Sequence, residues 1–142
     1  MISDLEKAKQ RLISGGYTCI ICKGETEFIS FDRGVKPLVK WLKEEKGLEG
    51  FSAADKVVGK ATAFLYALLK VKAVYANVIS ESALSALKNH GIYTEYSEIV
   101  PNIINRQKDG ICPFELAVLQ TEDAKTAYKI ILEKMSQMNI SV

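Results

Sequence analysis

Three short stretches hold the side chains whose types and spacing could do chemistry. In Asp55-Lys56-Val57-Val58-Gly59-Lys60 a carboxylate stands beside two lysines at i and i+4. Near the start of a helix, such lysines oppose the positive end of the dipole and repel one another by roughly 0.2–0.5 kcal/mol. A bound anion would relieve both penalties, helped by the free N–H groups of the first turn. Asn105-Arg106, followed by Lys108-Asp109, offers a guanidinium able to grip a phosphate or carboxylate through two parallel hydrogen bonds. Cys112-Pro113-Phe114-Glu115 sets cysteine at a helix cap, proline at the first position and glutamate at the third, a capping-box-like turn. A helix start favours the thiolate, so Cys112 is the cysteine expected to react. Each stretch also has a plain structural reading: Asp55 as a cap, Gly59 as a helix contact, Cys112 as a small buried cap, and the lysines and Arg106 as solvated charges.

The element that would position the first stretch is a helix over Ser52–Lys70. Ser52 suits its N-cap, and Asp55 three residues on can return a capping-box bond. At about 100° per residue, Val57, Val58, Ala61, Phe64, Leu65, Leu68 and Leu69 share one arc, with Asp55, Lys56, Gly59, Lys60 and Thr62 on the other. From Ala61 to Leu69 the helix is apolar nearly all round, so it belongs inside a domain and its polar start opens on a cleft, an interface or water. Gly59 in mid-helix costs about 1 kcal/mol against alanine, which close approach of a ligand or another helix would explain.

Around it, Ser3 or Asp4 caps a first helix ended by Gly15-Gly16. Tyr17–Lys23 and Thr26–Phe31 read as strands joined at Gly24-Glu25, with glycine first as a type II′ hairpin turn requires. Val35–Lys46 is helical with Pro37 in its first turn. Ala73–Ile79, a helix over Glu81–Asn89 capped by Ser80, and Ile92–Ile99 form a βαβ unit with parallel strands. Pro101–Gly110 is a polar loop, Cys112 begins a helical run to Gln120, and Thr121 caps a last amphipathic helix. The tail Asn139–Val142 should fray or add an edge strand. The pattern implies an α/β fold, a three-layer α/β/α sandwich with a mixed sheet of about four strands.

At 142 residues the chain is long enough for one domain with a continuous core. A net charge near +2 with no lysine block argues against a nucleic-acid or membrane surface. There is no apolar run of bilayer length and no signal-peptide pattern, and the odd count of three cysteines suits a reducing compartment, so a cytoplasmic protein is expected. With His90 the single histidine, a Ser-His-Asp triad or a His-rich metal site is poorly supplied. His90 itself, before Gly91, suits the negative end of a helix. Cys19 and Cys22, three apart in a strand, point to opposite faces and read as core. Trp41 and Tyr66 read as core or interface.

The order of elements resembles the cytidine-deaminase-like fold. More narrowly, A-A-D-K-V-V-G-K-A-T-A together with N-R-x-x-D-G-I-C-P-F-E is similar to a small uncharacterised prokaryotic family assigned to that fold. Zinc deaminases need H-x-E at the central helix and P-C-x-x-C at the next, three ligands holding Zn²⁺ while the glutamate moves the proton. Here those positions read Ala54-Asp55-Lys56 and Ser80-Glu81-Ser82-Ala83. The resemblance therefore implies a zinc-free member with no cofactor, in which Ser80 could contact a ligand, and it implies a homo-oligomer. The leading expectation is a small anionic or nucleotide-like ligand held by Asp55, Lys56, Gly59, Lys60, Ser80, Asn105 and Arg106. A metal-independent enzyme using Cys112 as nucleophile, or Lys60 as base or Schiff-base amine, with Asp55 or Glu115 as acid-base partner, is the second. A non-catalytic oligomeric interaction module is the third.

Overall fold

After left-handed Gly16 ends α1 (Asp4–Gly15), β1 (Cys19–Lys23) and β2 (Thr26–Ser30) pair antiparallel from Cys19–Ser30 to Lys23–Thr26, in a computed structural model that describes residues 2–142. Gly24 takes φ +59° while Glu25 does not turn left-handed, as glycine-first hairpin chemistry requires. The chain continues through α2 (Lys36–Lys43), β3 (Ser52–Val58), α3 (Lys60–Leu69), β4 (Ala73–Ser80), α4 (Glu81–Asn89), β5 (Tyr93–Val100), α5 (Pro113–Ala117) and α6 (Ala124–Gln137).

The α/β/α sandwich is as expected, but its mixed sheet has five strands in the order β2-β1-β3-β4-β5, not about four. The helix expected over Ser52–Lys70 is two elements. Ser52–Val58 is the central strand, antiparallel to β1 and parallel to β4. Ala53, Ala54 and Asp55 tolerate a helix locally, but two flanking strands supply a hydrogen-bond ladder on both sides, and tertiary pairing overrides propensity. Gly59 is therefore the N-cap of α3 and not a mid-helix residue. Ser52 caps nothing and is fully buried, its hydroxyl without a partner among the described residues.

Smaller corrections concern helix ends. α2 starts one residue late and stops at Lys43, short of Lys46. The run from Cys112 ends at Ala117, and Asp123, not Thr121, caps α6 by accepting from the Thr126 N–H at 2.9 Å. The tail Asn139–Val142 adds no strand.

α1 covers one face of the sheet, burying Leu5, Ala8 and Leu12 against Ile20, Cys22, Ala54 and Tyr75. The other core joins Cys19, Ile21, Ala53, Val74 and Ala76 to Phe64, Leu65 and Tyr66 of α3, Leu87 of α4 and Ile131 of α6. Cys19 and Cys22 thus enter opposite cores, as period-two alternation dictates. His90 caps α4, its Nδ1 2.8 Å from the Ala86 carbonyl oxygen. Because β3 and β4 are adjacent and parallel and each leads straight into a helix, the starts of α3 and α4 lie side by side at the carboxyl end of the sheet. Open α/β sheets place ligand sites at that end.

Candidate functional site

Two helix starts, one loop and the cysteine-proline corner meet around Glu115, which is fully buried. Its Oε1 accepts from the Lys60 N–H at 3.1 Å, from the Ser82 hydroxyl at 3.1 Å and, through a short bond, from the Ser80 hydroxyl. Oε2 accepts from the Ile103 N–H. The Lys60 amide belongs to the first turn of α3 and has no partner within the helix, and the carboxylate faces the positive ends of both helices. Ser80 caps α4 with the same oxygen, accepting from the Ala83 N–H at 3.2 Å. Where an open cleft was expected at the start of the central helix, this cradle of donors is filled by the chain's own Glu115 carboxylate.

Gly59 is explained by this crowding. A Cβ there would stand 3.2 Å from Cγ1 of Ile103 and 3.6 Å from the Glu115 carboxyl. The close approach read from the glycine is real, and it is made by Ile103 and Glu115.

The other expected site residues divide. Lys60 is buried at the start of α3, but its ammonium points away from the cradle, donating to the Leu119 carbonyl and to Glu122 Oε1, both at 2.9 Å. Lys56 is an exposed strand residue, lining a shallow pocket with Leu12, Ile13, Gly16, Tyr75 and Asn77 beside α1, so it shares no helix face with Lys60. Asn105 and Asp109 bond each other at 2.8 Å and close their own loop. Arg106 is exposed on that loop with no side-chain hydrogen bond or ion pair among the described residues. The loop reaches the cradle through the Ile103 amide instead. Cys112 is the half-buried N-cap of α5 and its side chain makes no capping bond. His90 lies at the far end of α4 from Ser80, which separates the imidazole from the thiol corner.

Asp55 forms a second, separate cluster. Its carboxyl accepts from the Tyr66 hydroxyl at 2.7 Å, and the Cys19 sulfur lies 3.2 Å from the tyrosine oxygen. Since the single phenolic proton goes to Asp55, the thiol donates to Tyr66. Burial pushes the Asp55 carboxyl up to about 7, with the Tyr66 hydrogen bond partly opposing the rise. Burial likewise raises the Tyr66 hydroxyl and the Cys19 thiol, and the neighbouring Asp55 charge adds to both. Asp55 is thus a buried core acid, not a helix cap. Nothing in the spacing of Tyr66 or Ile103 marks either as a site group, whereas Ser82 lies in the Ser80-Glu81-Ser82 stretch where a polar ligand contact was expected. Glu115 was expected as a capping residue or an acid-base partner, and its place at the start of α3 follows from neither.

Among the described residues no three His, Cys, Asp or Glu side chains cluster as a metal would need, and no helix is long and apolar enough to cross a membrane.

Fold and cradle together define an α/β sandwich that seats an internal carboxylate where two parallel βα junctions meet. Residues 7–135 match the family described as a domain of unknown function, DUF1893, and the chain belongs to that family. A DUF1893 family protein from Thermotoga maritima, known from its crystal structure, is 30% identical, with a TM-score of 0.85 over 94% of this chain and 92% of that one. A dCMP deaminase from the cyanophage S-TIM5 is 16% identical, with a TM-score of 0.44 over 65% of this chain and 92% of that one. A Thermotoga maritima diaminohydroxyphosphoribosylaminopyrimidine deaminase/5-amino-6-(5-phosphoribosylamino)uracil reductase is 12% identical, with a TM-score of 0.43 over 80% of this chain and 39% of that one. Superpositions as loose as these two carry no chemistry across to this chain. No curated protein matches significantly.

Proposed function

We propose that the protein binds a small anionic or nucleotide-like ligand at the junction of α3 and α4, in exchange for the Glu115 carboxylate. The observation that carries this reading is the convergence of four donors, the Lys60 and Ile103 amides and the Ser80 and Ser82 hydroxyls, on one carboxylate. Such a set does not distinguish a side-chain carboxylate from a free one, and its two helix starts favour negative charge in general. Binding would require α5 to lift Glu115 away. The same donors suit Zn²⁺ poorly, since that ion takes thiolate, imidazole and carboxylate ligands and here finds hydroxyls, amides and one glutamate. We therefore read the protein as a zinc-independent member of its fold class. The three unpaired thiols fit a reducing cytoplasm. Catalysis by Lys60 or Cys112 is the weaker reading, because the Lys60 ammonium is already engaged and Cys112 has no imidazole beside it.

A thermal-shift titration at constant ionic strength with inorganic phosphate, pyrophosphate and cytidine and adenosine monophosphates tests the reading on wild type and Glu115→Ala. A ligand at 100 times its Kd adds about 2.7 kcal/mol of stability. The expected result is a phosphate- or nucleotide-dependent rise, larger in Glu115→Ala, whose cradle is vacated. Indifference of both proteins to every anion overturns it, and so does stoichiometric zinc in the purified protein.

A further inference from the structure

The sheet ends on β5, whose outer edge pairs with no other strand among the described residues. β5 pairs with β4 on one side, is backed by α4, and is the last strand of the sheet. Its sequence, Tyr-Thr-Glu-Tyr-Ser-Glu-Ile-Val, carries no proline, glycine or lysine, the residues that usually protect an edge from pairing. Tyr93, Tyr96 and Ile99 are 60%, 43% and 41% exposed, an apolar set on a long free edge. The opposite edge differs. β2 is only five residues long, and its Glu27 is held by Arg11 at 2.6 Å.

What could pair with β5 is constrained by its own pattern. When two copies of a strand pair antiparallel about a two-fold axis normal to the sheet, residues facing each other must come from the same face. The axis therefore passes through a residue. Centred on Glu95 or on Glu98, the pairing sets a carboxylate against itself, which is destabilising. Centred on Ser97, it sets Glu95 against Ile99 and Glu98 against Tyr96. Centred on Tyr96, every position is matched. Tyr96 meets Tyr96, Tyr93 meets Ile99, Glu95 meets Ser97 and Glu98 meets Thr94, so each carboxylate faces a small hydroxyl-bearing residue and each exposed apolar residue faces another. Glu95 is also pre-positioned, accepting from the Tyr93 hydroxyl at 2.9 Å, while Ser97 is held by the Tyr75 hydroxyl at 2.5 Å.

We propose that β5 is a homodimer interface, two copies pairing antiparallel about Tyr96 to make one continuous ten-stranded sheet, twice the five of a single chain. The occupant of the edge is a second copy of this chain, because its side chains complement themselves in that one register. The surface is independent of the Glu115 cradle, and either can fail without the other.

Native mass spectrometry and cysteine crosslinking of the full chain test this. Wild type should be a dimer at micromolar concentration. Tyr96→Cys should crosslink to itself on mild oxidation, whereas Thr94→Cys and Glu98→Cys should each stay uncrosslinked alone and crosslink when mixed. Tyr96→Lys, at an exposed position, should be monomeric with an unchanged circular dichroism spectrum. A monomeric wild type overturns the proposal, as does a dimer that survives Tyr96→Lys or one that fails the crosslinking pattern.

Discussion

Lys60 meets Glu115 with its backbone and not with its charge. The amide donates to the carboxylate at 3.1 Å, while the ammonium reaches past it to the Leu119 carbonyl and Glu122. One residue thus ties α5 and the segment after it to the start of α3 at two points, and Glu115 is left to the amides and hydroxyls of the cradle.

Replacing Glu115 should expose that dependence. Glu115→Ala strands the Lys60 and Ile103 amides, each costing about 1–3 kcal/mol when left unpaired, so stability should fall by roughly 2–6 kcal/mol. Urea unfolding measures it, and phosphate should recover part of the loss in Glu115→Ala more than in wild type.

Lys60 and Glu122 should behave unequally despite sharing an ion pair. The Lys60 side chain is 5% exposed and that of Glu122 72% exposed. Glu122→Ala should cost under about 0.5 kcal/mol, as solvated pairs do. Lys60→Met, which also leaves the Leu119 carbonyl without its donor, should cost roughly 1–3 kcal/mol. Parallel unfolding curves decide it, and equal losses would contradict the geometry.

Asp55 should make the protein lose stability as pH rises. Its carboxyl titrates near 7 when folded, against about 3.9 when unfolded. Between those values the folded state holds the extra proton, so the stabilisation is complete below about pH 4 and disappears as pH climbs to about 7. Asp55→Asn cannot ionise, so relative to wild type it should be more stable at pH 8 than at pH 5 by roughly 1–4 kcal/mol. A flat difference across that range would contradict a buried titrating acid.

Tyr66→Phe should break the chain from Cys19 to Asp55, leaving both without their partner in the core. The expected cost is about 1–3 kcal/mol. A double-mutant cycle with Asp55→Asn should show coupling, because the two residues share a hydrogen bond.

Gly59→Ala should destabilise modestly, since the added methyl meets the half-buried Ile103 side chain 3.2 Å away and needs it to shift. A rise in stability would mean that the crowding at the cradle is looser than the distances imply.

Local chemistry in the sequence determined the elements whose ends are punctuated: Ser3 and Gly16 bounding α1, Gly24 turning the hairpin, Ser80 capping α4, Cys112-Pro113 opening α5. These signals act within a few residues, so no tertiary partner is needed to read them. Tertiary structure alone decided that Ser52–Val58 is a strand, because its alanines allow either conformation and only β1 and β4 on its two sides supply the ladder. It also decided that Asp55 enters a core with Tyr66 and that Glu115, 55 residues beyond Lys60, fills the cradle at the helix starts. Such long-range convergence comes from the packing of distant segments, and no spacing along the chain records it.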